Sequence, residues 1–512
     1  MKIKITILWA LFLILVSFPG AEARQVELRL LYVNDFHGFA LPYKPLGAEG
    51  PVGGAAYLAT AVEKLRREKP TLLLAAGDMI QGNNWVNLFR GASAIELMNA
   101  MKFDAMAAGN HEFDFGLEIL RQRLSEARFP VLAANVEGMP QLKPYVIKKV
   151  AGLRVAIIGL VTEDTPIATH PRNVSDLKFL EPEKTVEKYR EILSKQADFF
   201  IILAHLGHQR ERQLAQRVKG IPVIIGGHSH TKVLEPAVVG DTLVVQAWEH
   251  AKALGVLDLT VKDGKIVKYQ GRLEEIKPVH GQENPAVQRI VAAYAWKVDA
   301  QMNVPVAEAQ VDLDGERVRT KETNLGNLIA DIMRETARAQ VALTNGGGIR
   351  ASIPKGQVKV KEVYTTLPFD NYLVAISLTG RQLKEALEHG VSSLEEPAGR
   401  FPQVSGLSFT YSRAAPVGSR VKEVLVQGQP LAPEKEYTVA TNDFLAAGGD
   451  GYAGFGEAIK AASDFSEQGG LLKSSKITYS DAGRWLRDVV IESLRARKKI
   501  SAQVEGRIKE VP

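Results

Sequence analysis

Cysteine is absent from this 512-residue sequence. Its absence excludes disulfide bonds, thiolate metal ligands and a lipid-modified N-terminal cysteine, so any bound metal ion must be held by His, Asp, Glu or Asn. Long blocks of Lys and Arg are also missing, although the formal net charge is +6 and the isoelectric point is near 9.1. This mildly basic balance gives only weak support to a nucleic acid polymer as partner, because a small anionic substrate would fit the same charge equally well.

Long hydrophobic runs are scarce, and the one that stands out lies at the N-terminus. Two lysines precede the uncharged stretch 5–18, and residues 21–23 (Ala-Glu-Ala) form the small-x-small pattern of a cleavage site. The run is short for a membrane span. We therefore predict a signal peptide over residues 1–23 and a secreted protein, either periplasmic or extracellular. Retention of the run as an anchor is the alternative. The C-terminal residues 505–512 lack the hydrophobic tail of a lipid anchor, so no membrane anchor is expected after signal removal.

The chain is too long for a single core, so two large domains are expected. The first half alternates apolar runs with amphipathic stretches, which predicts a layered α/β domain over residues 24–275. A polar, Pro-containing segment and a connecting helix follow at 276–302, and a second α/β domain occupies 303–512. The predicted strands are 28–33, 71–75, 131–134, 154–160, 198–203, 223–225, 243–246, 254–261, 340–343, 372–378 and 437–440. The predicted helices are 53–69, 93–101, 185–196, 286–301, 324–339, 380–388 and 481–495.

Side chains that can bind metals follow five of the apolar runs in the first half. Because the carboxyl ends of parallel strands meet at one edge of a sheet, these side chains should lie close together. Seven ligands are too many for one four-coordinate ion and suit two metals, which would activate a water and clamp a phosphoryl oxygen. Nitrogen and oxygen ligation suits zinc, manganese, iron or cobalt. The seven are Asp35, His37, Asp78, Asn110, His205, His228 and His230, with Asp78 as the candidate bridge.

Each of these residues has an ordinary explanation when it is considered alone. Asp35, Asp78 and Asn110 could cap turns or helices, and His205 could be a core histidine with its hydrogen bonds satisfied. The Gly-His-Ser-His pattern ending at His230 is stronger, since two imidazoles one residue apart follow a strand in a chain with ten histidines. Because all seven residues follow predicted strands, it is implausible that each of them has only such an ordinary role.

The stretch 109–114 (Gly-Asn-His-Glu-Phe-Asp) adds a candidate catalytic pair beside one of these ligands. Gly109 permits a tight turn and close approach of the backbone to a ligand. His111 and Asp114 are three residues apart, so a helical turn would place them on one face, where the carboxylate can orient the imidazole. A polar turn capped by Asn110 is the alternative.

Taken in order, these motifs resemble the calcineurin-like metallophosphoesterases. The stretches 344–350 (Thr-Asn-Gly-Gly-Gly-Ile-Arg) and 442–452 resemble the C-terminal nucleotide-binding domain of the secreted 5′-nucleotidases, the group that includes the bacterial UDP-sugar hydrolase/5′-nucleotidase type. The resemblance covers essentially all of the chain after the signal peptide. It implies an N-terminal four-layer sandwich, with two mixed sheets flanked by helices, and a C-terminal α/β nucleotide-binding domain.

The resemblance also implies residue roles. One metal ion would be held by Asp35, His37, Asp78 and His230, and the other by Asp78, Asn110, His205 and His228. His111 would stabilise or protonate the leaving oxygen, and Asp114 would orient His111. The implied substrate-binding residues are Asn345, Gly347, Gly348, Arg350, Asn371, Phe401, Asp450 and Tyr452.

Among these, Arg350 would grip the phosphate, because guanidinium binds phosphate in a bidentate way, and the glycine run beside it would bring backbone N–H groups nearby. Phe401 and Tyr452 match the family's base-stacking positions, with two core aromatics as the alternative. Tyr452 stands where the family pattern has Phe. At the position of His230 some nucleotidases of the family have Gln, so this residue leaves the substrate open.

The expected reaction is attack of a metal-bound hydroxide on the phosphorus of a nucleoside 5′-monophosphate, giving nucleoside and phosphate. UDP-sugars and other nucleotides are further candidate substrates. The alternatives are a 2′,3′-cyclic-nucleotide phosphodiesterase or a thiosulfohydrolase of the same superfamily, and last a non-catalytic binding protein. We expect a monomer in preference to an oligomer. The two domains must close on the substrate, with the connecting helix as the hinge element.

Overall fold

The computed structural model describes residues 25–45, 48–468 and 471–512, so the predicted signal peptide at 1–23 lies outside the described residues. The N-terminal domain contains β1 (Gln25–Val33), β2 (Thr71–Ala76), β3 (Ala105–Ala107), β4 (Val131–Leu132), β5 (Val136–Glu137), β6 (Tyr145–Val150), β7 (Leu153–Val161), β8 (Lys178–Phe179), β9 (Phe199–His205), β10 (Val223–Gly226), β11 (Ala237–Val239), β12 (Thr242–Gln246), β13 (Ala253–Lys262) and β14 (Lys265–Glu275). Its helices are α1 (Ala55–Arg66), α2 (Asn84–Asn87), α3 (Ala92–Met101), α4 (Gly116–Glu126), α5 (Thr165–Ala168), α6 (Pro182–Leu193) and α7 (His208–Arg217), with 3-10 turns at Asn110–Phe113 and Pro171–Asn173.

Two six-stranded sheets form the centre of this domain, in the orders β14-β13-β1-β2-β3-β4 and β11-β12-β10-β9-β7-β6. In the first sheet, β1 to β4 pair in parallel, β13 pairs antiparallel with β1, and β14 pairs antiparallel with β13. In the second sheet, β7, β9, β10 and β12 pair in parallel, β6 pairs antiparallel with β7, and β11 pairs antiparallel with β12. Both sheets are therefore mixed, as expected.

The side chains of β1 explain the layering. Leu28 and Leu30 point into a core shared with the second sheet, whereas Leu31 and Val33 point to the opposite face, where α1 and α3 pack. Helices α6 and α7 cover the outer face of the second sheet in the same way. A strand that is apolar on both faces is the pattern of a sheet covered on both sides. The four-layer sandwich is confirmed.

The C-terminal domain has its own sheets and helices. Its strands are β15 (Pro305–Ala309), β16 (Val341–Asn345), β17 (Gly356–Lys359), β18 (Tyr372–Thr379), β19 (Pro402–Ser405), β20 (Leu407–Tyr411), β21 (Val421–Val426), β22 (Gln429–Pro430), β23 (Glu436–Asn442), β24 (Ser466–Gln468), β25 (Leu471–Lys473), β26 (Ile477–Trp485), β27 (Lys499–Ile500) and β28 (Ile508–Glu510). After the connecting helix α8 (Pro285–Met302), its helices are α9 (Asn324–Ala337), α10 (Val360–Thr366), α11 (Gly380–Gly390), α12 (Asp443–Ala446), α13 (Ala453–Lys460) and α14 (Leu486–Arg497), with 3-10 turns at Gly346–Gly348 and Gly449–Gly451.

A five-stranded sheet, β19-β16-β23-β18-β26, carries the substrate-side loops of this domain. Helices α9 and α14 pack on one face of it, and α11 and α13 pack on the other. The predicted helix 481–495 was wrong at its start, because residues up to Trp485 continue β26 and pair with β18, and α14 begins at Leu486. Long-range pairing here overrides local helical periodicity.

The connecting helix α8 packs against the N-terminal domain. It begins at Pro285, and the side chain of Asn284 caps it by accepting from the backbone N–H groups of Ala286 and Val287. The Trp85 indole donates to the carbonyl of Val291 at 3.2 Å. Within the described part of the chain, no helix is long and apolar enough to cross a membrane.

Candidate active site

The seven predicted metal ligands lie together where five strands end. Each follows one of the parallel strands β1, β2 and β3 of the first sheet or β9 and β10 of the second, whose ends meet at one edge of the sandwich. Six of them form two groups whose ligand atoms lie within 4.8 Å of one another: Asp35, His37 and His230, and Asp78, His205 and His228.

The backbone at these ligands is unusual. Five of them have positive φ values between 48° and 79°, in the left-handed region that non-glycine residues seldom adopt. Such residues persist only where the surrounding structure fixes them, and they cluster at functional sites. The five are Asp35, His37, Asp78, His228 and His230.

The first group places two imidazole lone pairs face to face. The Nδ1 atom of His37 lies 2.9 Å from the carbonyl of Gln81, and Nδ1 of His230 contacts the Glu249 carboxylate. Both Nδ1 atoms must donate, which leaves a lone pair on each Nε2. These two Nε2 atoms are 3.3 Å apart, and the buried Asp35 Oδ1 lies 3.2 Å from that of His230 and has no hydrogen-bond partner in the part of the chain that the structure describes. A cation between these atoms would satisfy all three.

The second group repeats this arrangement. Nδ1 of His205 donates to the carbonyl of Ala76 at 2.7 Å, so the neutral ring would turn the lone pair of its buried Nε2 toward Asp78 Oδ2, which lies 3.1 Å away. His228 Nδ1 and Asn110 Oδ1 lie 2.9 Å apart beside it. Imidazole nitrogens with carboxylate and amide oxygens form a donor set that suits divalent transition metals.

Asp78 lies between the two groups. Its Oδ2 atom is 3.7 Å from Nε2 of His37 and 3.1 Å from Nε2 of His205, so one carboxylate faces both clusters. Burial alone would lower the pKa of His205, but the Asp78 and Asp35 carboxylates raise it to about 10. A pocket that favours a proton so strongly also favours a divalent cation, because a metal and a proton compete for the same lone pair.

His111 and Asp114 form the predicted pair beside the metal-ligand groups. Nδ1 of His111 lies 2.6 Å from Asp114 Oδ2, while Oδ1 of Asp114 accepts from the Thr169 hydroxyl at 2.5 Å. Burial opposes charge on the imidazole, but the Asp114 and Asp78 carboxylates raise the pKa of His111. Its Nε2 lies 4.0 Å from Asp78 Oδ2. An oriented imidazole of this kind can deliver a proton next to the candidate metal site.

A cavity of about 350 Å³ opens beside this pair and is lined by both domains. The N-terminal domain contributes Asn110, His111, Asp114, Thr169, His170 and Arg172. The C-terminal domain contributes Arg319, Asn345, Gly347, Gly348, Arg350, Phe369, Asn371, Arg400, Phe444 and Asp450. The volume is within the range of pockets that bury a small organic ligand.

Arg350 reaches across the domain boundary to the metal-ligand groups. Its Nη2 donates to Nε2 of His37 at 3.0 Å, and its guanidinium lies over the ring of Phe369. Burial lowers the pKa of Arg350 to about 10, so it remains a cation at neutral pH. A buried guanidinium beside a metal site is suited to a bound phosphate.

The glycine run beside Arg350 forms a 3-10 turn after β16. Asn345 at the end of this strand donates to Asp450 Oδ2 at 2.5 Å, which ties two loops of the C-terminal domain together. A Cβ on Gly347 would lie 2.9 Å from the Cα of Gly399. The loops that carry Gly347 and Gly399 can therefore approach this closely only because residue 347 is glycine.

Family comparisons match both halves of the chain. The profile of the calcineurin-like phosphoesterases matches residues 28–232, and that of the 5′-nucleotidase C-terminal domain matches residues 302–457. The human 5′-nucleotidase is 31% identical over an alignment that covers 96% of this chain and 92% of the human protein. The chain belongs to the 5′-nucleotidase family.

Other members of the 5′-nucleotidase family and its relatives agree. A trifunctional nucleotide phosphoesterase, YfkN of Bacillus subtilis, is 36% identical over 95% of this chain, which spans 35% of that longer protein. The crystal structure of a 5′-nucleotidase precursor from Thermus thermophilus has 38% identity and a TM-score of 0.84, covering 95% of this chain and 99% of that chain. The sulfate thiohydrolase SoxB from a Thermus species reaches a TM-score of 0.79 at 22% identity, which shows the shared fold alone.

The structure buries the two residues, Phe401 and Tyr452, that the 5′-nucleotidase family pattern implies for base stacking, and their stacking role stays a prediction. Phe401 is fully buried and Tyr452 is 2% exposed, and both lie in the core of the C-terminal domain. The Tyr452 hydroxyl donates to the carbonyl of Arg400 at 2.7 Å. Phe401 immediately precedes β19, which pairs with β16, and this position turns its ring into the core. The phenylalanine rings that line the cavity are those of Phe115, Phe369 and Phe444, and the last two belong to the C-terminal domain.

Sequence reasoning also missed residues that hold the 5′-nucleotidase site in place. Glu112 lies within the stretch 109–114 and Phe444 within the stretch 442–452, so the sequence could have indicated both residues by their position beside candidate site residues. Glu249 and Thr169 gave no local signal, because only the fold brings them to His230 and Asp114.

Glu112 joins two ligand-bearing loops of this 5′-nucleotidase fold. Its Oε1 accepts from the backbone N–H of Met79 at 2.7 Å and of Ile80 at 3.2 Å. Its Oε2 accepts from the backbone N–H of Asp78 at 2.9 Å and from the backbone N–H of Gly109 at 2.5 Å. The loops that carry Asp78 and Asn110 are therefore tied by one buried carboxylate. An acceptor-only group is required here, since all four partners are donors.

We expect Glu112→Gln to weaken metal binding by about 10- to 100-fold, the usual effect of losing a partner that orients metal ligands. The amide nitrogen of Gln would face two N–H donors and push the loops apart. Competition with a fluorescent chelator measures the affinity for Mn²⁺. The matched control is Glu322→Gln, because Glu322 is also buried and accepts from the backbone of Glu505 and Ile508, in the other domain. Equal loss of affinity in both variants would contradict this account.

Proposed function

We propose that this protein is a metal-dependent phosphohydrolase that converts nucleoside 5′-monophosphates to nucleoside and phosphate. The observation that carries the proposal is the contact between Arg350 of the C-terminal domain and His37 in the metal-ligand groups. This contact supports the proposal, because a guanidinium suited to a phosphate, the candidate metal ligands and the cavity lie side by side. Family membership supports the same reaction.

Two divalent ions are proposed for the site, one held by Asp35, His37, Asp78 and His230 and the other by Asp78, Asn110, His205 and His228. When bound, such ions activate a water and neutralise charge on the phosphoryl group. Zinc, manganese, cobalt and iron all suit this donor set.

The protein's own residues perform the remaining steps. Arg350 holds the phosphate against the metal-ligand groups and offsets the charge that develops on it. His111 donates a proton to the ribose oxygen as it leaves, and Asp114 keeps the imidazole oriented for this transfer. Phe444 supplies the base with a ring face, and Asn345 and Asp450 lie within reach of the nucleoside.

The direct test is phosphate release from protein that has been dialysed against chelator and then supplied with manganese, zinc or cobalt. AMP, UDP-glucose, 2′,3′-cyclic AMP and a thiosulfonate are offered side by side. We expect metal-dependent release from AMP. Turnover of the thiosulfonate alone would replace the nucleotidase proposal with sulfur chemistry. Silence on all four by metal-loaded protein would indicate a binding protein.

Base stacking on Phe444 gives a separate prediction. Phe444→Ala should raise KM for AMP by about 5- to 150-fold, because stacking on an aromatic side chain contributes about 1–3 kcal/mol per base. The measurement is KM for AMP beside KM for ribose 5-phosphate, which has no aromatic ring to stack. Phe401→Leu is the control, since its buried ring should affect stability and leave KM for AMP unchanged. A rise in KM with Phe401→Leu alone would restore the original assignment.

We also propose that the protein is exported, on the strength of the N-terminal sequence pattern alone. The expected mature chain begins at Arg24, and mass spectrometry of protein recovered from outside the cytoplasm tests this. Recovery of the intact N-terminus at a membrane would favour the anchor instead.

A further inference from the structure

Residues 164–173, here called the bridging segment, contact the catalytic side chains of the N-terminal domain. The segment contains α5 and the 3-10 turn Pro171–Asn173. The carbonyl of Ala168 accepts from Asn110 Nδ2 at 3.1 Å, the hydroxyl of Thr169 donates to Asp114 Oδ1, and Asn173 Nδ2 donates to the carbonyl of Asp114 at 2.8 Å. Asp114, the residue that orients His111, is thus held by the bridging segment at both its side chain and its backbone.

The same segment contacts the C-terminal domain on its other side. Nε2 of His170 lies 3.5 Å from Oδ2 of Asp443, which is 1% exposed. The Oδ1 atom of Asp443 accepts from the backbone N–H of Tyr372 at 3.0 Å, so this carboxylate is fixed to β18. Its Oδ2 has no hydrogen-bond partner among the described residues and is free to accept from His170.

The C-terminal contacts of the segment are next to the nucleoside-binding residues. Helix α5 packs against the 3-10 turn Gly449–Gly451, which contains Asp450, and Asp443 directly precedes Phe444. Both Asp450 and Phe444 line the cavity. A nucleotide bound by these residues would therefore stabilise the contact between the C-terminal domain and the bridging segment.

We propose that the bridging segment couples seating of the nucleotide-binding domain to orientation of the His111–Asp114 pair. His170 senses the C-terminal domain through Asp443, and Thr169, the adjacent residue, holds Asp114. Both are positioning residues. This inference rests on the proposed nucleotidase activity and adds that the imidazole is aligned for proton transfer when the C-terminal domain is seated. The effect falls on turnover more than on substrate binding, since these bonds orient a group that acts in the transition state.

The test compares kcat and KM for AMP with those for p-nitrophenyl phosphate, whose leaving group needs no proton. His170→Ala should lower kcat for AMP about tenfold with KM within about twofold, the size expected for one lost contact to a charged group. Thr169→Val should lower kcat for AMP by at least as much. The aryl ester should lose much less in both variants. If Thr169→Val does not fold, Asn173→Ala probes the same support of Asp114.

A double-mutant cycle with His111→Asn decides whether the effect travels through the proton donor. We expect His170→Ala to cause no further loss once His111 is replaced, because coupled residues are non-additive. Ser175→Ala is the control for the region, since Ser175 is exposed and its hydroxyl makes long hydrogen bonds to the neighbouring Arg172 carbonyl and Asp176 carboxylate.

Three results would overturn the coupling: an unchanged kcat in His170→Ala, a rise in KM with kcat preserved, or a full tenfold loss in the His111→Asn background. In each case the parent protein still hydrolyses AMP. A parent protein that hydrolyses the aryl ester and no nucleotide defeats the proposed function as well, and this outcome is distinct from the other three.

Discussion

Replacing Asp78 with alanine should abolish metal loading and lower kcat/KM for AMP by about a thousandfold or more. The reason is that Asp78 faces both ligand groups, so neither ion would keep its full set of ligands. Bound metal ions supply several kcal/mol of charge stabilisation, and each 1.4 kcal/mol is about a factor of ten in rate.

Elemental analysis of the purified variant and initial rates of phosphate release measure the two effects of this change. The control is Asp258→Ala, which removes a carboxylate paired with Arg29 on strands of the same domain. That variant should lose stability and keep its metals. An Asp78 variant that retains two ions and most of its activity would remove the bridging role.

His111→Asn should lower kcat for AMP by about 100- to 10,000-fold, the range that general acid catalysis contributes. The alkoxide of ribose is a poor leaving group and needs the proton that an oriented imidazole can supply. The rate for p-nitrophenyl phosphate should fall far less, because its phenolate leaves without protonation.

The ratio of the two rates is the measurement for this second prediction, because a metal-site defect would lower both rates equally. His280→Ala, a change at an exposed histidine of the linker, provides the matched control. Equal losses on both esters would show that His111 acts through the metal site and not on the leaving oxygen.

The metal-ligand groups could be predicted from sequence because their signal is local and redundant. Each candidate ligand lies at the end of an apolar strand or a few residues beyond it, and the parallel order of β1, β2 and β3 brings the strand ends together without any knowledge of loop structure. The His111–Asp114 contact was predictable for the same reason, since three-residue spacing on a helical turn fixes both side chains on one face.

The remaining features depend on contacts between distant parts of the chain. The direction of the Phe401 side chain follows from its position next to β19 and from the pairing of β19 with β16. The Gly-rich sequence around Phe401 carries no information about this direction. The partner of His230 is Glu249, which is brought near by the fold of the second sheet. The end of β26 at Trp485 is set by its pairing with β18 and not by the helical periodicity of its own residues.

The packing of α8 has a mechanical consequence. Because Trp85 and Glu96 hold this helix to the N-terminal domain, it travels as one body with the metal-ligand groups. On its far side, Val304 accepts from the backbone of Val360 and so belongs to the C-terminal body. We therefore expect any rotation between the two domains to turn about Asn303, whose side chain accepts from Lys359, and to break the contact of Lys361 with Asp299 of α8. A joint this short favours rotation over translation, so we expect an optical reporter on α8 to stay at constant distance from the candidate metal ligands and one on the C-terminal domain to change its distance when the domains rotate.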